Sequence, residues 1–196
     1  MPEADWSHRA STGLGTMITR PLTRSRFGDL ARVFGDRGTP RRCFCMYWRR
    51  PDGGFADERD NRHRFRDRVE MGPPPGLVGY VEDRPVGWVQ VGPRRDFPTL
   101  YRSRLLKPVD AVEPWAVTCF VVAVGHRRRG VATALLDAAI DYARLASAEV
   151  LEAYPVDGHR SGSGDYYTGT WSMFRARGFR EVARRNDTRP IVRLVL

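Results

Sequence analysis

The apolar positions of this chain change period near residue 77, and the change divides it into a helical first part and an alternating second part. Residues 22–34 set Phe27, Leu30, Ala31 and Phe34 at helical spacing, with glycine following. Residues 57–70 predict a second helix, charged nearly all round, with Phe65 and Val69 to dock it and a Gly-Pro-Pro-Pro-Gly run to stop it. Ahead of both, residues 16–20 read as a short strand closed by Pro21. Residues 1–15 are polar and aperiodic and read as a flexible N-terminal tail.

Beyond residue 77 the period is two. Residues 77–82 and 86–91 predict a β-hairpin turning at Asp83-Arg-Pro. The span 93–113 contains prolines and no clear period; so long a connection is uncommon unless it covers something such as a ligand site. Residues 115–124 form a nearly continuous apolar run, the pattern of a strand buried on both faces. Residues 130–146 carry Val131, Ala134, Leu135, Ala138, Tyr142 and Leu145 on one helical stripe, and 149–155 is again a strand. Strand, helix and strand make a βαβ unit whose two strands lie parallel. A Gly/Ser-rich loop at 157–165, a short helix at 169–177 capped by Gly178, and strands at 179–184 and 190–196 complete the chain. The expected fold is a single α/β domain over residues 16–196: a mixed central sheet with a βαβ core and flanking helices.

Composition narrows the function classes. The chain has 196 residues and is 41% hydrophobic, enough for a full core and too much for global disorder. Its net charge of +10 rests on arginine, because Lys107 is the only lysine. Arginine without lysine, beside abundant alanine, glycine and valine, is what GC-rich codons produce. Nucleic acid is therefore not the expected partner, since a footprint needs clustering on one face. Cys43, Cys45 and Cys119 are odd in number and unsuited to a disulfide framework, which points to a reducing cytoplasm. The N-terminus lacks a basic, apolar leader, and no apolar run nears the ~20 residues that span a bilayer, so neither export nor a membrane is expected.

Chemistry concentrates at Arg127, Arg128, Arg129, Gly130, Val131, Ala132 and Thr133, between the buried strand and its helix. The first backbone N–H groups of a helix have no intrahelical acceptor and stand at the positive end of its dipole, so they form an anion site. Gly130 and Ala132 leave that backbone bare, and the arginines supply charge-assisted contacts to phosphate. A Walker loop and a dinucleotide fingerprint would each need glycines that are not there.

Arg-x-x-Gly-x-Ala after a buried strand, the amphipathic helix behind it, and Arg-Gly-Phe at 177–179 together resemble the GNAT superfamily of acyl-CoA-dependent N-acyltransferases. The resemblance covers about residues 16–196 in element order and is sharpest over 115–180. It implies an N-acetyltransferase that uses acetyl-CoA as donor and no metal, with a small-molecule or peptide amine as acceptor, and leaves a homodimer open. Phe120 and Val122 would pair with the pantetheine arm, the Val122 N–H would polarise the thioester carbonyl, and Arg127 to Thr133 would wrap the pyrophosphate. Antibiotics, polyamines, amino acids and protein N-termini all remain open as acceptors, because the fold hosts many functions. A non-catalytic CoA-sensing or partner-binding module is the alternative, and a nucleic-acid-binding domain comes third.

The catalytic pattern departs from the family's. Phe174 stands where the family often has a tyrosine as proton donor, and Tyr167 where it often has an asparagine. The usual base positions on the buried strand fall on Thr118 and Ala116, neither of which is a base. Tyr166 is the expected acid, Tyr167 a contact to CoA, and Phe174 lies near the thioester. Glu152, a carboxylate inside an apolar strand, is the first candidate base, with Asp157 and Glu113 behind it. His126 reads as solvated. Phe44, Met46, Tyr47 and Trp48, with Trp88, wall an acceptor pocket or simply pack the core, and Cys43-Phe-Cys45 is too close-set for a zinc pair.

Overall fold

Where the apolar period is two the chain forms strands, and where it is near 3.6 it forms helices. The computed structural model describes residues 5–51, 57–158 and 166–196. In chain order these form β1 (His8–Thr12), β2 (Gly15–Pro21), α1 (Phe27–Phe34), α2 (Thr39–Cys43), α3 (Glu58–Met71), β3 (Gly76–Val81), β4 (Arg84–Pro93) and α4 (Pro98–Arg102). There follow β5 (Trp115–Val122), α5 (Val131–Leu145), β6 (Val150–Ala153), α6 (Trp171–Arg175), β7 (Arg180–Arg184) and β8 (Pro190–Val195). The strands make one mixed sheet in the order β1-β2-β3-β4-β5-β6-β8-β7, antiparallel throughout except for the parallel pair β5–β6. The mixed α/β architecture expected from the sequence is the one found.

Three expectations need correction. Residues 8–15 are not a tail: β1 pairs along its length with β2 at the sheet edge, and its alternation of half-buried and exposed residues carries too little apolar signal to read as a strand. The helix expected from residue 22 begins at Phe27, after a 3-10 turn at Arg24–Arg26. The hairpin turns one residue early, on Glu82 and Asp83, both left-handed at φ 48° and 61°, as a two-residue turn requires.

Two apolar layers cover the sheet. On one face α5 buries Val131, Ala134, Leu135, Ala138 and Tyr142 against Val86, Val89, Val117 and Phe120. Gly87 permits the close approach, since a Cβ there would stand 2.8 Å from Val131 Cγ1 and 2.9 Å from Leu135 Cδ1. On the other face α1 and α3 pack Phe27, Leu30, Phe34, Phe65 and Val69 against Val78, Trp88 and Val121. The sheet parts at its centre. Trp115, Ala116 and Val117 of β5 pair with Leu151, Glu152 and Ala153 of β6, and beyond Val117 the two strands no longer pair. A register shift opposite Gln90/Val91 skips Thr118, so Phe120 joins the α5 face while Cys119 and Val121 turn to the other. No described helix is long and apolar enough to cross a membrane.

Candidate active site

The turn between β5 and α5 holds the residues from which an anion site is expected. Gly125, Arg128 and Gly130 all have positive φ, at 85°, 59° and 80°. Left-handed residues in a turn can gather neighbouring N–H groups into a concave nest. Gly130 caps α5, its carbonyl accepting from the Ala134 N–H at 3.0 Å, and the N–H groups of Val131, Ala132 and Thr133 lie in the helix's first turn, which contains no acidic residue. Arg127, Arg128 and Arg129 are exposed around this mouth, and Arg127 Nε donates to the Val122 carbonyl at 3.4 Å. The β1–β2 turn closes one side, the Gly13 N–H donating to the Arg129 carbonyl at 2.9 Å. A Cβ on Gly130 would come no nearer than 3.9 Å to another residue, so what demands glycine there is the backbone angle and not protein crowding. Bare amides, a 15-residue helix behind them and three arginines fit a pyrophosphate.

Where β5 leaves β6, a cleft of about 760 Å³ opens on the α1–α3 side of the sheet. Cys119, Val121 and Gln90 line it from the sheet; Thr39, Pro40, Cys43, Cys45, Tyr47 and Trp48 from the stretch around α2. Thr99, Arg102, Ser103, Leu105 and Leu106 line it from the α4 region, and Tyr167, Thr168 and Arg189 complete it. The aperiodic span 93–113 thus does cover a cavity. It is tied down by arginine: Arg94 Nη2 donates to the Leu106 carbonyl at 2.7 Å, and Arg185 donates to the carbonyls of Leu105, Lys107 and Pro108.

Tyr167 joins cleft and strand. Its carbonyl accepts from the Phe120 N–H at 2.6 Å, across the gap that β6 has left, and its ring packs with the α1–α3 layer. Residues two apart in a strand present their N–H groups to the same edge, so that of Val122 faces this gap as well. Burial raises the Tyr167 phenol above its ordinary pKa; a hydrogen bond with Thr39 and the charge of Arg127 pull the other way. It is therefore protonated at neutral pH.

The structure disperses the other candidates. Glu152 is 1% exposed and lies outside the cleft, its Oε1 taking bonds from Arg94 Nε at 3.0 Å and the Tyr154 hydroxyl at 2.6 Å, its Oε2 from Arg193 Nε at 2.8 Å. A carboxylate held by two guanidiniums and a phenol has no open side for an amine. Asp157 pairs with Arg184 at 2.7 Å, and Glu113 accepts from the Tyr101 hydroxyl at 3.0 Å. Tyr166 is half-buried and not part of the cleft lining. Phe174 is fully buried against Phe120 and Phe179, ring centroids 6.1 and 5.0 Å away, and belongs to the α5-side core. Most of the Gly/Ser-rich loop, residues 159–165, lies outside the described residues.

The Phe44–Trp48 stretch divides: Phe44 and Met46 face the core, Tyr47 and Trp48 the cleft. Trp88 is core too, its Nε1 donating to Cys45 Sγ at 3.0 Å. The three cysteines all reach the cleft as free thiols. Burial pushes Cys43 up to about 12 and Cys45 well above the usual thiol range, so neither is a thiolate nucleophile at neutral pH. Convergence of these thiols with Arg102 and Arg189 had no local signal, because it is made by segments between 17 and 146 residues apart.

Residues 42–168 match the family model described as Acetyltransferase (GNAT) family. Among solved structures, an acetyltransferase of the GNAT family from Listeria monocytogenes is 10% identical with a TM-score of 0.63, covering 96% of this chain and 100% of that one. The GNAT domain of S. lividans PAT is 18% identical with a TM-score of 0.60 and full coverage of both chains. RimJ of Mycobacterium smegmatis, in complex with CoA-disulfide, is 15% identical with a TM-score of 0.59, covering 98% and 88%. No curated protein matches the chain.

Proposed function

The chain belongs to the GNAT family of acetyltransferases, and from that premise we propose that it transfers an acetyl group from acetyl-CoA to a primary amine seated in the cleft, by direct attack. The observation that carries this reading is the cleft itself, which meets β5 at Cys119 and Val121, where its edge is freed from β6 just before the turn into α5. The structural likeness to a RimJ crystallised with CoA-disulfide supports the same choice of donor.

In this reading Arg127 to Thr133 hold the pyrophosphate, and the edge of β5 at Phe120 and Val122 holds the pantetheine arm, for which the Tyr167 carbonyl must release the Phe120 N–H. Bound there, acetyl-CoA supplies an activated acyl carbon. The Val122 N–H would polarise its carbonyl. Proton donation to the departing thiolate passes from the expected Tyr166 to Tyr167, whose phenol is in the cleft and protonated. Among the described lining residues there is no carboxylate or imidazole to deprotonate the amine. Arg102 and Arg189 substitute through their field, since like charge disfavours an ammonium and lowers its pKa, leaving water to take the proton.

Calorimetry with CoA, followed by mass-spectrometric detection of acetylated products over an amine panel, tests the reading. Tyr167→Phe is expected to lower kcat at least about tenfold with little change in CoA affinity, whereas Tyr166→Phe keeps wild-type turnover. Equal activity in both variants would return proton donation to water. Binding of CoA with no transfer to any amine would favour the CoA-sensing alternative.

Gly130 gives a second test. Gly130→Ala should cost about 1–2 kcal/mol in urea unfolding because its φ of 80° is left-handed, and Gly130→Asn less, since asparagine tolerates that region. CoA affinity should fall in both by about tenfold or more as a side chain enters the nest. Unchanged affinity in the Asn variant would move the pyrophosphate elsewhere.

A further inference from the structure

The charge lining the cleft is one-sided. Its described lining contains two arginines, Arg102 and Arg189, and neither aspartate nor glutamate. Arg189 Nη1 donates to Thr168 Oγ1 at 2.9 Å and to the Tyr154 carbonyl at 3.3 Å, which anchors it at the cleft wall.

Of the arginines on its segment, Arg102 is the one that lines the cleft. Arg94 is committed to Glu152 and the Leu106 carbonyl, Arg193 to Glu152 and Asp110, and Arg185 to three carbonyls. On the surface Arg32, Arg64, Arg144 and Arg184 each find a carboxylate three or four residues away. The exposed Arg102 side chain, like those of Arg95 and Arg104, makes no hydrogen bond or ion pair with any described residue, and the positions three and four away, Pro98, Thr99, Leu105 and Leu106, offer it no acid. The acids near it in sequence are occupied, Asp96 by Arg49 and Arg68, Glu113 by Tyr101. The segment that bears it is fixed by Arg94 and Arg185, so the guanidinium is presented from a held backbone.

We infer that the acceptor is an amine that also carries an anionic group, a carboxylate or a phosphate, and that Arg102 pairs with that group in the cleft. The inference rests on the transferase reading and narrows its substrate class. A guanidinium offers two parallel N–H donors to either anion, and the partly apolar walls at Tyr47, Trp48, Leu106 and Val121 strengthen the pairing. The same charge repels a polycation, so polyamines are poor acceptors here, and with Arg102 paired to the anion the field that disfavours the ammonium comes from Arg189.

The test is equilibrium binding by calorimetry to the full chain with CoA present, which reads the pairing whether or not transfer occurs. The probes are alanine, leucine and phenylalanine with their carboxamides, phosphoethanolamine with ethanolamine, and spermidine. At least one acid is expected to bind about tenfold or more tightly than its neutral partner, with spermidine weakest. Arg102→Gln should shrink that margin to about threefold or less, while Arg104→Gln, the same charge change two residues away at an exposed position outside the cleft lining, should leave it intact. A margin confined to phosphoethanolamine assigns the anion as phosphate, and one confined to the amino acids assigns it as carboxylate. No acid preferred over its neutral partner, or a preference that survives Arg102→Gln, overturns the inference. Transfer to neutral amines without such a preference would retire this inference and leave the transferase reading in place. A preference for the acids with no transfer to any amine would do the reverse.

Discussion

Glu152→Gln is expected to lower the free energy of unfolding by about 3–5 kcal/mol, the usual cost of removing one partner from a buried ion pair. Glu152 is 1% exposed and Arg94 2%, and the carboxylate is the common acceptor for Arg94, Arg193 and the Tyr154 hydroxyl. Burial, and then the Glu152 charge beside it, pushes the Tyr154 phenol well above its ordinary pKa, which registers how dry the site is. An amide at position 152 keeps acceptor capacity but leaves the buried Arg94 guanidinium without a countercharge, while Arg193 retains Asp110. The loss should show as a lower urea midpoint with an unchanged slope. Turnover per folded molecule is expected to fall less than stability does, because the network reaches the cleft at one remove, through the Arg94 bond to the Leu106 carbonyl and the Arg189 bond to the Tyr154 carbonyl. A variant as stable as the parent that had lost turnover would instead identify Glu152 as the base.

Glu152 also marks the limit of what the sequence discloses. A carboxylate inside Val150-Leu-Glu-Ala-Tyr announces that it must meet a cation or a cleft, and the sequence cannot say which. The cation comes from a 3-10 turn fifty-eight residues earlier and from the neighbouring strand β8. The strand, turn and helix start that surround Gly130, by contrast, were legible almost residue by residue, because their signals are all local. The same holds for the parallel β5–β6 pair, which follows from the βαβ order alone.

Elsewhere the signal was weak for physical reasons. Strand β1 is polar because it lies at a sheet edge, and α2 and α4, at five residues each, are too short to show a period. Phe174 illustrates the opposite difficulty. Its place in the family's pattern suggests a position near the thioester, but a phenyl ring is drawn into the core, where it stacks edge-on to Phe120 and Phe179. In the proposed mechanism the proton-donor position falls to Tyr167, which lines the cleft and whose carbonyl takes the Phe120 N–H that β6 leaves unpaired on β5.

Trp88→Ala is expected to cost about 3–5 kcal/mol, the range for removing a large aromatic from a core. Trp88 is fully buried, with Phe34 and Phe65 edge-on to its ring at 6.4 and 6.0 Å. It also holds the cleft. Phe44 and Cys45 are both left-handed, at φ 45° and 54°, a conformation that costs a non-glycine residue energy and persists only when its surroundings enforce it. Trp88 Nε1 donates to Cys45 Sγ at 3.0 Å and Gln90 Nε2 to the Cys45 carbonyl at 2.9 Å, so two neighbouring positions of β4 enforce it here. Trp88→Phe separates the roles: it keeps most of the apolar area, loses the bond to sulfur, and should cost only about 1 kcal/mol. Alkylation of Cys45 provides the readout for the cleft, since the native thiol is buried and protonated. The rate should rise modestly in the Phe variant and steeply in the Ala variant, in parallel with a falling denaturation midpoint. If the Ala variant lost stability while Cys45 stayed as unreactive as in the parent, the strained turn would be held by Gln90 alone, and Trp88 would be packing and nothing more.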